Sequence, residues 1–299
     1  MAPELAALLV GLSTPAALRA SARRGTHPRL IIAAQLAGLV LVWTGIVGVL
    51  VAAFSPASGF FELCRAIVTS PATAFGPLPA SALALLTVAL PGRALVHAIQ
   101  TITAGRALHK GVMVTLHGTV VAGASMDTIA CTVGVLRPRV VVDPNQLARL
   151  TFEEQRAVLA HEHGHARGWH GLIVLVSRAL AAGLAPWPGA RQAATEIRRQ
   201  LEAAADDRAA HRTGRRTVAG AIVAAACGPP PAGALGAAGW ALWRVDRLLR
   251  RSAPDRRATL VASGVLILLG LVAGHWALHS AHLLSGWKLA FLAEVCCTV

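Results

Sequence analysis

The sequence predicts a multi-pass α-helical membrane protein that carries an inserted α+β domain. Of its 299 residues, 55% are hydrophobic and 14% are charged. The hydrophobic residues form long uncharged blocks, and a polar region of mixed pattern precedes the last block. We divide the chain into residues 1–104 with three membrane helices, residues 105–257 as the polar domain, and residues 258–299 with a fourth membrane helix and a short tail.

Four blocks are candidate spans. Residues 30–54 and 258–274 contain no ionisable side chain, and at about 1.5 Å per residue each can cross a hydrocarbon core of roughly 30 Å. Residues 74–92 contain three prolines, which membrane helices tolerate better than soluble ones. Residues 5–18 are short and contain Pro15; we interpret them as a first span because no signal-peptide cleavage site follows before Arg23 and Arg24.

The charge pattern predicts the orientation. Arginines gather between the first two spans and again before the last, whereas residues 56–73 carry only Glu62 and Arg65. The two groups are Arg19, Arg23, Arg24 and Arg29, then Arg244, Arg247, Arg250, Arg251, Arg256 and Arg257. Because basic links stay in the cytoplasm, we expect a bacterial cell-membrane protein whose polar domain faces the cytoplasm. The net charge of +14 comes without an aromatic-interleaved basic patch, so we expect no nucleic-acid binding.

The polar domain begins with strand patterns and continues with helices. Residues 112–116, 129–133 and 140–142 predict strands. Thr151 and Glu154 form a capping-box pattern that predicts a helix start, and Gly168 or Gly171 would end that helix. A second helix is expected over residues 191–211 and a loop over 227–236. Residues 171–186 are apolar but short and contain Arg178, which favours an interfacial or re-entrant helix over a full crossing.

The first of these helices contains a metal-binding motif. His161, Glu162 and His165 fit H-E-x-x-H. At about 100° per residue, the two histidines lie within roughly 40° of each other, one turn apart, where they can chelate one Zn²⁺. Glu162 lies beside that face and can take a proton from the attacking water. His163 points away and is rejected as a ligand. The five cysteines show no C-x-x-C spacing, which disfavours a cysteine zinc site.

A catalytic zinc site needs a third protein ligand, and Glu202 is the best candidate. Glu202 and Asp206 share a helix face, and the alanines between them allow close approach to the motif helix. Asp206 could accept the second ring proton of a ligand histidine. Asp207 lies off that face, where solvent or an arginine would satisfy it. Glu196 is the reserve ligand.

Other histidines rank below these. His170 is interpreted as a group that supports a ligand or as a surface residue, and His211 as an exposed helix-end residue. His275, His279 and His282 have the spacing of one helix face, but they follow the last span on the predicted far side. We therefore expect interfacial histidines there, alongside Trp276 and Trp287 as part of an aromatic belt.

The chain resembles the BlaR/MecR-type integral-membrane zinc metallopeptidases and, more distantly, the HtpX-like and CAAX-prenyl membrane proteases. The resemblance rests on residues 128–134, 137–142, 150–154, 157–162, 202–207 and 244–248. It implies a zincin-like (gluzincin) domain, with His161, His165 and Glu202 as zinc ligands and Glu162 as the catalytic residue. It also implies a cytoplasmic zinc domain.

The sequence departs from that family at two places. Cys131 stands where the strand beside the site usually carries an aromatic residue. The beta-lactam sensors also carry a large extracellular domain after the last span, whereas about two dozen residues follow Gly274. We therefore expect no beta-lactam sensing of that kind.

The function expected from the sequence is zinc-dependent cleavage of a polypeptide at the bilayer. Two biological roles fit this activity: regulatory proteolysis of a winged-helix transcriptional repressor, and membrane protein quality control. A substrate backbone could add a strand beside residues 129–133. The alternative is a non-catalytic membrane receptor or scaffold with a structural zinc site, which would not need Glu162. A transporter is disfavoured because the spans contain almost no ionisable groups.

Overall fold

The structure is a computed structural model that describes residues 2–23, 27–53, 89–100, 102–103, 113–116, 119–122, 128–226, 237–250 and 256–275. This part of the chain is mostly helical, with one small sheet. Most of the candidate span 74–92, the expected loop 227–236, and His279 and His282 lie outside the described residues.

Three apolar helices form a bundle: α1 (Ala2–Arg23), α2 (Pro28–Ala53) and α10 (Arg256–His275). Leu18, Ile31 and Leu269 are among the buried residues that join them. α1 and α2 are in close contact at Gly11. A Cβ at this position would lie only 2.9 Å from the Gly38 carbonyl oxygen. Small residues allow the backbones of two helices to approach in this way.

Two of the described helices are long and apolar enough to cross a membrane, over Pro28–Gly48 and Arg256–His275. They correspond to the uncharged blocks 30–54 and 258–274. The apolar stretch of α1, Leu5–Arg19, is shorter, and Pro15 lies inside that helix. Residues 89–100 form a further helix, α3.

The sheet has the strand order β1-β2-β4-β3, with β1 at Met113–Leu116, β2 at Thr119–Ala122, β3 at Ala130–Val133 and β4 at Arg139–Val142. β1 and β2 are antiparallel, β2 and β4 parallel, and β3 and β4 antiparallel. β3 therefore forms one edge. Val140 and Val142 pack with Ala130 against the motif helix. β1, β3 and β4 fall where strands were expected, whereas β2 was not expected.

The motif helix is α5 (Phe152–Arg167), which follows the short helix α4 (Pro144–Leu147). The expected capping box is confirmed: the Thr151 hydroxyl accepts from the Glu154 amide, and the Glu154 carboxylate accepts from the Thr151 amide at 2.9 Å. Two unpaired donors at the helix start are thus satisfied. Gly168 caps the other end, and Trp169, with φ 54°, turns the chain into the next helix.

α6 (His170–Gly183) occupies the ambiguous apolar stretch. It lies against α2: the Trp43 indole donates to the Leu180 carbonyl at 3.1 Å, and Gly183 leaves room for the same ring. Because Trp43 lies fifteen residues beyond Pro28, roughly 22 Å along α2, α6 runs beside the middle of that helix and not only at its end.

α7 (Pro188–Thr213) connects the bundle to the polar domain. Ile197 and Leu201 are buried against α2, while Ala205 lies against Gly164 of α5, where an added Cβ would lie 3.2 Å from the Ala205 Cα. α8 (Arg215–Ala226) and α9 (Ala237–Leu249) complete the domain. The expected close approach of α7 to the motif helix is therefore present.

Candidate metal centre

The structure brings together one ligand atom each from His161, His165 and Glu202. The two Nε2 atoms are 3.1 Å apart. The Glu202 Oε2 lies 3.4 Å from the first and 3.7 Å from the second. The helical turn between the histidines sets the first distance, and the Gly164–Ala205 contact between α5 and α7 sets the others. This cluster could hold a metal ion.

The separations fit a small tetrahedral ion. Metal bonds of about 2.0–2.1 Å with tetrahedral angles place ligand atoms about 3.3 Å apart, which lies inside the observed range of 3.1 to 3.7 Å. Larger cations that take six or more oxygen ligands need a different donor set. The side chains of His161, His165 and Glu202 are 12%, 15% and 24% exposed, so the cluster is mostly buried but not sealed from solvent.

His161 is oriented by a buried carboxylate. Its Nδ1 lies 2.9 Å from the Asp206 Oδ1, and the Asp206 side chain is 1% exposed. This is the contact expected from the shared face of Glu202 and Asp206. A carboxylate on the far ring nitrogen fixes the tautomer that leaves Nε2 for a metal.

Asp206 is held in turn by Arg244 of α9. The Arg244 Nε donates to one carboxylate oxygen at 2.8 Å and its Nη2 to the other at 2.6 Å. The Arg244 Nη1 also lies 3.4 Å from the Glu202 Oε2. Such bidentate pairs fix orientation as well as charge. Arg244 thus contacts two of the acidic groups that define the site.

His165 is oriented differently, by a second histidine. Its Nδ1 lies 2.9 Å from the Nδ1 of His170, which is buried at the start of α6. Burial, together with the nearby His165 and Arg208, lowers the pKa of His170 to about 3. His170 is therefore neutral at pH 7 and can accept the His165 Nδ1 proton. The left-handed turn at Trp169 brings His170 to this position.

The charges of the cluster are mutually stabilised. Burial disfavours ionised His161, but its hydrogen bonds to Asp206 and Glu202 outweigh burial and raise its pKa to about 10. Burial likewise opposes ionisation of Glu202, yet the hydrogen bonds from His161 and His165 hold its pKa well below the usual range. Because a ligating histidine must be neutral, a metal ion bound here would displace this proton.

Glu162 lies next to the cluster and is positioned by the edge strand. The Thr132 hydroxyl on β3 lies 2.7 Å from the Glu162 Oε2 and 2.9 Å from its backbone oxygen, so it can donate to either. Thr132 thus joins the edge strand to Glu162, which directly follows the ligand candidate His161 in α5. This arrangement can hold a base near a metal and an extended chain along β3.

The remaining candidates lie outside the cluster. His163 contacts its own helix through the Leu159 carbonyl at 2.7 Å. Glu196 pairs with Arg199 at 2.9 Å, and Asp207 pairs with Arg247 at 2.6 Å, as an arginine partner was expected. His211 is exposed. Burial, with the charge of Glu162, raises the pKa of Cys131 to about 11, which keeps it a thiol.

Sequence reasoning placed Arg244 and Arg247 in the group of positive charges before the last predicted span and in one stretch of the family resemblance, and gave neither a partner. In the structure both are ion-paired inside the domain. A signal was present: two arginines three residues apart on one helix match the adjacent acids Asp206 and Asp207 of another. Because these two arginines are neutralised by ion pairs inside the domain, they are weaker indicators of membrane orientation than their sequence position suggested.

Comparison with known proteins gives no relative: the chain matches no model of a protein family, no curated protein and no solved structure.

Proposed function

We propose that the chain is a membrane-embedded zinc endopeptidase. The observation that carries the proposal is the triangle of His161 Nε2, His165 Nε2 and Glu202 Oε2, with sides of 3.1, 3.4 and 3.7 Å. Two imidazoles and one carboxylate are a ligand set of catalytic zinc sites, which leave the fourth position open. The partial exposure of all three side chains supports an open site rather than a closed structural one.

Zinc, when bound, would polarise the scissile carbonyl and acidify water. The protein's own groups supply the rest. Glu162 takes the proton from the attacking water and delivers it to the leaving amine. Thr132 holds the Glu162 carboxylate by a hydrogen bond of 2.7 Å. Asp206 and His170 keep the two ligand imidazoles in the tautomers that a metal needs.

An extended polypeptide is the substrate that fits the sheet edge. β3 pairs with β4 on one side only among the described strands. A substrate strand could use the free side of β3 for backbone hydrogen bonds, which recognise main chain rather than sequence. Cys131 and Thr132 would then lie beside the bound chain, so substrates would need an unfolded segment.

The membrane location rests on the two long apolar helices. On α10, Leu260, Ile267 and Leu271 are 62%, 64% and 67% exposed. Such a surface is unfavourable in water and favourable in lipid. We place the polar domain in the cytoplasm of a bacterial cell because Arg19, Arg23 and Arg29 lie at the facing ends of α1 and α2. The packing of α6 along α2 supports the re-entrant alternative for α6, which would hold the metal centre at the bilayer.

The resemblance to BlaR/MecR-type and HtpX-like membrane proteases supports the same activity. It makes two outputs attractive: cleavage of a winged-helix repressor, or removal of damaged membrane proteins. Both need a base beside the metal, and the hydrogen-bonded Glu162 provides one.

The test compares Glu162→Gln with Glu153→Gln, a matched change at an exposed position of the same helix. Zinc per chain and cleavage of an unfolded protein are measured for both and for the parent. We expect zinc to be retained in all three and cleavage to fall by about 10²- to 10⁴-fold in Glu162→Gln alone. Equal cleavage by the parent and Glu162→Gln would contradict the proposal. Zinc without cleavage in any protein, over a panel of substrates, would favour the scaffold alternative.

A further inference from the structure

A cleft whose lining residues are mostly polar lies where α1 and α2 meet the start of α7. Its volume is about 320 Å³, and its lining includes Arg19, Gln35, Arg191, Gln192, Thr195 and Glu196. The cleft is separate from the metal centre: Thr195 and Glu202 are seven residues apart on α7, roughly 10 Å along the helix axis. No step of the proposed peptidase chemistry uses these residues.

The inner wall of the cleft carries a buried polar group without a partner. Gln35 is 2% exposed, and its carbonyl oxygen has no hydrogen-bond partner among the described residues. Leaving a buried acceptor unpaired costs about 1–3 kcal/mol. Gln35 also lies two turns into α2, within the apolar stretch that follows Arg29, and polar residues in such stretches often mark functional sites. A ligand that donates a hydrogen bond would remove this cost.

The mouth of the cleft is positively charged. Arg19 of α1 and Arg191 of α7 both line it and are exposed. The Arg19 Nη2 donates to the Gln192 Oε1 at 2.8 Å, which fixes the guanidinium at the rim. The single carboxylate of the lining, Glu196, is already engaged by Arg199 at 2.9 Å and Gln200 at 2.7 Å. The two guanidinium groups thus leave a net positive rim.

We propose that this cleft binds a phosphate ester that also carries a hydroxyl group. Arg19 and Arg191 would hold the phosphate, because guanidinium groups bind phosphate oxygens by paired hydrogen bonds. The hydroxyl would donate to the Gln35 carbonyl oxygen at the inner wall. A volume of about 320 Å³ is ample for a glycerol phosphate group and too small for a folded partner.

The position of the cleft favours a lipid headgroup as the source. Gln35 lies seven residues beyond Pro28, so the inner wall is roughly 10 Å from the start of α2. That depth corresponds to the headgroup region and its boundary with the acyl chains. Basic pockets between membrane helices on the cytoplasmic side bind anionic headgroups. This choice of source rests on the membrane location in the proposed function, whereas the phosphate chemistry does not.

Binding there would join the bundle to the domain. The ligand would contact α1 through Arg19, α2 through Gln35 and α7 through Arg191, and α7 carries Glu202. The Arg19–Gln192 hydrogen bond is one existing link between these elements. The bound phosphate adds a second and stabilises the same arrangement.

The experiment uses the full chain purified in neutral detergent. Native mass spectrometry measures retained phosphatidylglycerol, which has a phosphate and hydroxyls, against phosphatidylcholine, which lacks a hydrogen-bond donor in its headgroup. A second arm measures the thermal midpoint with soluble glycerol 3-phosphate. The variants are Arg19→Gln, Arg191→Gln and Gln35→Met, and the matched control is Arg212→Gln at the exposed far end of α7.

We expect one phosphatidylglycerol per chain, bound about tenfold more weakly after loss of either arginine, since one charge-assisted hydrogen bond is worth about that factor. Gln35→Met should weaken binding and raise the thermal midpoint of the lipid-free chain. Arg212→Gln should behave as the parent. Stabilisation by glycerol 3-phosphate without lipid retention supports the cleft with a soluble ligand. Equal retention of both lipids, equal binding by parent and arginine variants, or no response to either ligand would overturn the proposal.

Zinc content and cleavage are recorded on the same samples. If the parent binds zinc and cleaves substrate but retains both lipids equally, the proposal for the cleft is refuted and the proposed peptidase activity is not. If the parent retains phosphatidylglycerol selectively but binds no zinc, the proposed peptidase activity is refuted and the proposal for the cleft is not.

Discussion

The apolar bundle of α1, α2 and α10 and the candidate metal centre between α5, α7 and α9 are held together by different forces. In the bundle, Gly11 meets Gly38 and Leu269 packs with Ile31. This contact depends on how well the apolar side chains and the glycines fit together. In the metal centre, Arg244 joins Asp206 by two hydrogen bonds of 2.6 and 2.8 Å, and the apolar contacts are made by small residues such as Ala205 and Gly164.

The difference shows where each region is sensitive. Changes of side-chain volume should damage the bundle without affecting the metal, because the described hydrogen bonds and ion pairs of the ligand cluster all go to residues of the polar domain. Changes of charge should damage the metal centre, because every charged group there compensates another. Three sets of variants test this division, from the largest expected effect to the smallest.

The largest effect is expected from a graded series of arginine substitutions in α9 and just after it. The paired side chains are 18% and 1% exposed for Arg244–Asp206, 22% and 33% for Arg247–Asp207, and 71% and 53% for Arg250–Asp246. Arg244→Gln removes two charge-assisted hydrogen bonds from the buried Asp206 carboxylate, which keeps only His161 as a partner, and should lower the free energy of unfolding by about 3–5 kcal/mol. Arg250→Gln should cost about 0.5 kcal/mol or less, and Arg247→Gln should fall between.

The series is measured by chemical unfolding of the zinc-free chain in detergent, so that metal loss does not add to the result. Equal effects at all three positions would show that burial does not govern these pairs. Arg250→Gln serves as the internal control because its ion pair is exposed and local.

The next effect is a change of volume inside the bundle. Gly11→Ala puts a methyl group 2.9 Å from the Gly38 carbonyl oxygen, and we expect a loss of about 1–3 kcal/mol from overpacking. Gly264→Ala in α10 meets nothing within 4 Å and is the matched control, without loss. Thermal unfolding measures stability. Zinc per folded chain should remain unchanged in both variants, and its loss in Gly11→Ala would refute the independence of the two regions.

The smallest effect is expected at the neutral partner of His165. His170→Phe removes the acceptor at 2.9 Å and should weaken zinc binding by about 10- to 100-fold. His170→Gln retains an acceptor and should recover part of that loss. Competition with a chelator of known zinc affinity provides the measurement. If both variants bind zinc as weakly as each other, His170 acts by packing and not through its hydrogen bond.

Sequence reasoning identified the features that depend on local spacing. The capping box of Thr151 and Glu154, the face shared by His161 and His165, and the pairing of Glu202 with Asp206 along a second helix follow from helical periodicity. The close approach of α5 and α7 was also anticipated, because alanines flank that face. Three of the four strands were expected from runs of β-branched residues.

The remaining features depend on contacts between distant segments. Arg244 lies 38 residues after Asp206, and a basic residue before a membrane span has an adequate explanation without a buried partner. The role of His170 depends on the left-handed Trp169, a conformation that an aromatic residue seldom adopts. β2 was overlooked although Thr119, Val120 and Val121 favour a strand, because its parallel pairing with β4 joins segments separated in sequence.

The most direct measurement is zinc per chain in Glu202→Gln and Glu196→Gln, two matched changes on α7. Glu202 lies 3.4 and 3.7 Å from the histidine nitrogens, whereas Glu196 pairs with Arg199. Elemental analysis after purification in zinc-containing buffer, followed by dialysis, should find about one zinc in the parent and in Glu196→Gln and far less in Glu202→Gln. A full zinc equivalent in Glu202→Gln would contradict the assignment of the metal site.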